Sequence, residues 1–142
     1  MKKFITLGIA FLLVLVTLTG CDSHERILWA QNLSVNDIER IEAIRMPSNE
    51  NERYRNFEQT EFARIVEIIN NAKGEQVENP ELLAGGGITF YITMLDGTRH
   101  TFRNNGNVYL VIDGVSFNAS YDWLSSWLDE PLNSRVPDDF EY

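Results

Sequence analysis

Apolar residues run from Phe4 to Leu18 with only Thr6, Gly8 and Thr17 between them, and the pattern beyond is of a different kind. From about residue 35 to residue 130, short apolar stretches alternate with turn residues, without an internal repeat or a low-complexity tract. Ile41 to Met46 predicts a first strand, closed by Pro47 and the turn-rich "PSNENE". Its inward face is ambiguous, because Ile41 and Ala43 oppose Ile44 and Met46. Glu52 to Phe57 predicts a second, short strand. Phe62, Ile65, Val66 and Ile69 then fall at i, i+3, i+4 and i+7. That spacing predicts an amphipathic helix from about Gln59 to Ala72, capped by Thr60 and stopped at Lys73-Gly74. A loop with "ENPELLAGGG" follows.

The stretch from Ile88 to Ser120 reads as four strands joined by three tight turns, each with a glycine after Asp or Asn. Residues paired across antiparallel strands share a face, so loop length can be tested against burial. A two-residue loop at Asp96-Gly97 sets Phe90 against Arg103, whereas a three-residue loop, Leu95-Asp96-Gly97 with Gly97 left-handed, pairs Phe90 with Phe102. Asn104-Asn105-Gly106, treated as three residues, pairs Phe102 with Val108 and His100 with Leu110. A two-residue loop at Asp113-Gly114 pairs Ile112 with Val115 and Leu110 with Phe117. One face then collects Ile88, Phe90, Ile92, Met94, Phe102, Val108, Leu110, Ile112, Val115 and Phe117, which a helix should cover. Tyr121, Leu124 and Leu128, with Trp123 and Trp127, predict a second helix from Ser120 to Asp129, stopped by Pro131. The expected fold is α+β: an antiparallel β-sheet of about five to six strands, a β-meander in its C-terminal half, with two helices packed on one face. Residues 37–130 form the globular domain and 131–142 an acidic tail.

The same registers line up the opposite face. Tyr91, Thr101 and Tyr109 form a row there, with Thr93, Arg99 and Val111 on one flank and Thr89, Arg103 and Asn107 on the other. Tyr and Arg supply large contact area and hydrogen bonds, which makes Tyr91, Arg99, Thr101, Arg103 and Tyr109 the candidate binding face. The competing reading is an ordinary solvated sheet face, since Thr and Tyr are common in strands for propensity alone.

The apolar run at the amino terminus follows Lys2 and Lys3 and is shorter than the roughly 20 residues that span a bilayer. A positive start and an apolar middle are the layout of a signal peptide. It ends in Leu18-Thr19-Gly20-Cys21, which resembles a bacterial lipobox. The resemblance implies that Cys21 takes up a diacylglyceryl group and that a peptidase cuts between Gly20 and Cys21. Residues 1–20 are then a lipoprotein signal peptide and 21–36 a lipidated N-terminus and tether, of which the segment from Asp22 to about Asn36 serves as tether or as first docking turn. A thiolate is the best side-chain nucleophile for acylation, and two acyl chains hold far better than one. Cys21 is the sole cysteine, so disulfides are excluded. Asp22 after the cysteine resembles an inner-membrane retention signal, should the cell have an outer membrane.

Removal of Lys2 and Lys3 leaves ten basic against 21 acidic side chains, a net charge of −11. Such a domain is repelled by nucleic acid and by anionic lipid headgroups, so it stands off the membrane that anchors it.

Catalytic motifs are absent: no HExxH, GxSxG or SxxK, and Gly85-Gly86-Gly87 lacks the Lys-Ser/Thr of a phosphate loop. His100 is expected on the core face as a hydrogen-bonded packing residue, and its only fellow, His24, lies in the tether. Neither a metal site nor a cofactor is expected. The body, with a helix ending in "INNA" before a "DG"-turn meander, resembles small secreted lipoproteins of Gram-positive bacteria. The expected role is a non-catalytic binding module at the extracytoplasmic face of the cell membrane, for a protein or a small anionic ligand. The alternatives are an inhibitor or immunity-type protein acting through its acidic surface, and an envelope hydrolase using a carboxylate pair.

Overall fold

The computed structural model describes residues 28–46, 51–72, 74–81, 83, 86–106, 108–119 and 132–142. The leader, Cys21, His24 and the helix expected over Ser120 to Asp129 lie outside the described residues. Seven strands form one antiparallel sheet: β1 Ile38–Met46, β2 Tyr54–Asn56, β3 Gly74–Val77, β4 Gly87–Met94, β5 Arg99–Asn105, β6 Tyr109–Ile112 and β7 Val115–Ala119. Their order is β2-β1-β4-β5-β6-β7-β3. The fold is therefore α+β, with the expected meander as β4 to β7. β3 is a strand that the sequence reading leaves within a loop. It pairs with β7 from Gly74 opposite Ala119 to Val77 opposite Ser116.

The main helix, α1, is Phe62–Asn70, entered through a 3-10 turn at Gln59–Glu61. Its cap is not Thr60. Glu58 and Glu61 form a reciprocal capping box, with the Glu58 N–H donating to Glu61 Oε2 at 3.1 Å. Nor is Gly74 its stop; Asn71 is the C-cap, and Gly74 opens β3. Between β2 and β3, which are the two edges of the sheet, the chain passes through α1. The buried stripe Phe62, Ile65, Val66 and Ile69 shares one cluster with Ile41, Ile88, Phe90, Phe102, Leu110 and Phe117 of the sheet. Ala30 and Leu33 join that core, so the end of the tether docks rather than dangles.

The sheet is buried on both sides, which explains why β1 shows no clean alternation. Ile41 and Ala43 face the helix, whereas Ile44 packs on the opposite face with Tyr54, Tyr91 and Val136. A register shift between Ile38 and Arg40 lets Ile38 join the helix side while Arg40 and Glu42 stay on the other. The cover of that second face is the C-terminal segment 132–142. Ser134 forms a β-bridge with Tyr54 at the outer edge of β2, each N–H donating to the other's carbonyl at 2.9 and 3.1 Å. From there Val136 and Phe140 reach inward over the sheet, and the segment acts as a strap.

Two of the three expected registers hold. Phe90 faces Phe102 and Ile112 faces Val115, with Gly97 at φ 86° and the pair Asp113 and Gly114 at φ 46° and 86°. The β5–β6 register does not hold: Phe102 faces Ile112 rather than Val108, and Asn104 and Asn105, expected in the turn, belong to β5 and pair with Leu110 and Tyr109. Asn104 is no turn residue but a buried strand residue, whose Oδ1 accepts from the Ile88 N–H at 2.7 Å and whose Nδ2 donates to the Gly106 carbonyl at 2.9 Å. The slip is four residues, an even number, so the core face keeps its members except Val108, which is exposed.

Candidate functional site

Four strands bring the site together on the strap side of the sheet. The registers place Arg40 opposite Thr93 and Thr93 opposite Arg99, in a row across β1, β4 and β5. One step along, Glu42 lies opposite Tyr91 and Asn56 opposite Glu42. Alternation along each strand keeps all of these side chains on one face.

At the centre is Glu42, only 4% exposed, an unusual place for a carboxylate unless it is fully partnered. The Tyr54 hydroxyl donates to its Oε1 at 2.7 Å. Its Oε2 takes both Arg40 Nε and Arg99 Nη2, each at 3.3 Å. Burial and then the bond to Glu42 push the Tyr54 phenol well above its ordinary range, because its anion would sit dry beside another anion. Burial likewise raises Tyr91.

Arg99 is held on four sides. Its guanidinium lies over the Tyr91 ring at 4.7 Å and the Phe140 ring at 4.8 Å, Nη2 binds Glu42, and Nη1 donates to the Glu141 carbonyl at 2.5 Å. Aromatic stacking of this kind suits a planar guanidinium and fixes its orientation. Between this floor and the strap lies a cleft of about 500 Å³. Arg40, Glu42, Tyr54 and Arg99 form its sheet wall, and Pro137, Asp139, Phe140 and Glu141 its strap wall. The volume is within the range usual for small-molecule sites.

The expected binding face is thus partly covered. Tyr91 is buried under Phe140, and Arg99 is clamped. Thr101 faces Tyr91 as expected, but Tyr109 lies opposite Asn105 and Asn118, out of that row, because of the β5–β6 register. Arg103 is exposed opposite Thr89 and Val111. Of the five residues, only Arg99 lines the cleft. Sequence reasoning missed Arg40, Glu42 and Tyr54, since β1 and β2 gave no alternation and the strap no periodicity.

A second polar cluster lies near the β6–β7 turn. His100 Nδ1 is 2.8 Å from Asp113 Oδ2, and Asp113 Oδ1 accepts from the Thr101 N–H at 2.7 Å. The Trp29 ring lies tilted against His100, with ring centroids 3.8 Å apart. Burial alone would raise Asp113, but the bonds from His100 and Thr101 outweigh it and hold the carboxyl below its ordinary value. His100 faces Ile92 as expected, though its other neighbour is this turn and not Leu110. The Thr101 hydroxyl also donates to Asp113 Oδ1 at 3.4 Å, and among the described residues no group of three or more His, Cys, Asp and Glu that could hold a metal ion is present. Among the same residues no helix is long and apolar enough to cross a membrane.

Comparison of the chain with protein-family models, with curated proteins and with solved structures returns no match.

Proposed function

We propose that the chain is a lipid-anchored binding module of the extracytoplasmic face, without catalytic chemistry, which takes a ligand in the cleft between the sheet and the strap. The observation that carries the cleft is the convergence of Arg40 and Arg99 on the buried carboxylate of Glu42. Buried charge is costly, and such clusters recur where recognition needs groups fixed in advance. Glu42 already holds three donors, which suits a positioning role better than proton transfer to a substrate. The anchor rests on the lipobox-like Leu18-Thr19-Gly20-Cys21, and the charge of −11 disfavours nucleic acid as partner.

Two measurements test the proposal. Cells grown with labelled palmitate should label the wild type and not Cys21→Ser; a mature, unlipidated wild-type chain in the culture fluid overturns the anchor. Purified full-length protein exposed to envelope extract, washed and examined by native mass spectrometry should retain a small compound that Arg40→Glu releases. Equal retention by that variant overturns the cleft.

A further inference from the structure

Resting on the cleft as the binding site, we infer that its ligand is a small zwitterion, one carboxylate and one ammonium, of the amino-acid or short-peptide class. The carboxylate end follows from the floor. Glu42 brings one negative charge against the two guanidiniums of Arg40 and Arg99, which leaves a surplus positive charge there. The row Arg40, Thr93, Arg99 also holds more donors than acceptors. Thr93 Oγ1 and Arg99 Nε are both buried without a hydrogen-bond partner. Buried polar atoms are rarely left so, and of these two residues Arg99 lines the cleft, where an acceptor would complete its Nε. Among the described residues Arg40 bonds only through Nε, and its side chain is 51% exposed. Its free end can pair with an incoming carboxylate, and it is the member able to rearrange to admit one.

The ammonium end follows from the strap. Asp139 and Glu141, both exposed, line the same cleft from the strap, and the Glu141 carbonyl accepts from Arg99 Nη1. A simple anion would meet these carboxylates and the field of a strongly acidic domain. A simple cation would meet Arg40 and Arg99. A molecule with both charges is complementary to both walls, and such complementarity gives specificity more than raw affinity. A cleft of about 500 Å³ has room for a short peptide and none for a folded partner.

The test titrates the full-length chain, in detergent, with L-alanyl-L-alanine, its N-acetyl form, its C-amide form and inorganic phosphate, followed by NMR shifts at Thr93, Arg99 and the Tyr54 ring. The free dipeptide should bind, and blocking either end should weaken it by about tenfold or more. Arg40→Gln should lose the discrimination against the amide only, and Asp139→Asn the discrimination against the acetylated form only. Both changes are at exposed side chains, and an unchanged melting profile checks that each variant is folded. Equal binding of free and blocked dipeptides, or phosphate binding as tightly as the dipeptide, overturns the zwitterion while leaving the cleft a binding site. No shift with any of the four probes overturns both.

Discussion

A buried carboxylate is tolerable only when what its partners contribute offsets its desolvation, and Glu42 has three such partners. One oxygen has the Tyr54 hydroxyl; the other shares two arginines that are 51% and 25% exposed. Solvent screens such pairs, so the arginines contribute less than a dry ion pair would. The phenol is the better-placed partner. Tyr54→Phe removes it without changing the packing and should cost about 1–3 kcal/mol in urea unfolding, since a buried oxygen of Glu42 is left unsatisfied. The same bond makes the fold sensitive to alkali. Tyr54 and Tyr91 ionise at higher pH when folded than their ordinary value of 10.0. Their contribution is therefore whole below pH 10 and falls as the pH rises beyond it, where the unfolded phenols release protons first. The urea midpoint of the wild type should drop above pH 10, and less steeply for Tyr54→Phe; a flat profile would contradict the burial of both rings.

At the scale of elements, local turn chemistry was readable and long-range polar bonding was not. Leu95-Asp96-Gly97 and Asp113-Gly114 declare themselves because only certain residues accept positive φ, and pairing large apolar residues selects the loop length. Asn104-Asn105-Gly106 misleads for a definite reason. Asn104 is spent on the Ile88 N–H, 16 residues away, a partner that no local window contains. β3 was hidden because its alternation is faint, and its place depends on a close approach to β7. A Cβ on Gly74 would come within 2.2 Å of the Asn118 carbonyl oxygen. Gly74→Ala should therefore pry β3 from β7, seen as faster hydrogen exchange at Glu75, Gln76 and Val77, with the meander protected as before. The β6–β7 turn carries an acid-sensitive bond set of its own. Asp113 is held below its ordinary 3.8, so its contribution is present above that pH and is lost as the pH falls through the folded value. Asp113→Asn should cost about 1–2 kcal/mol at pH 7, with the gap to wild type closing below about pH 3.8. A gap that persists in strong acid would mean that the turn geometry, not the charge, is what the variant disturbs.

At the scale of the whole molecule, the described residues form two cores of unequal size, one on each side of a single sheet. The helix-side core was legible because α1 and the meander carry matching periodicities. The strap-side core was not: Val136 and Phe140 sit four apart in an acidic tail, and only the face they cover gives them meaning. That face includes Ile44, Tyr54 and Tyr91, and the strap also bonds the outer edge of β2 through Ser134. The strap thus covers both an apolar patch and an unpaired strand edge, each of which is a route to association when exposed. Ending the chain after Leu132 removes both covers at once. The truncated protein should lose about 3–5 kcal/mol of stability, by analogy with deletion of a large buried side chain, and should sediment as dimers or larger species at concentrations where the full chain is monomeric. Phe140→Ala separates the two effects: it uncovers Tyr91 and frees one side of Arg99, yet leaves Ser134 on the edge of β2. That variant should lose about 1–3 kcal/mol and stay monomeric, because the edge remains paired. If it associates as readily as the truncation, the apolar patch rather than the open edge drives self-assembly. If the truncation is as stable as the full chain, the strap contributes nothing to the fold, and the cleft loses one of its walls.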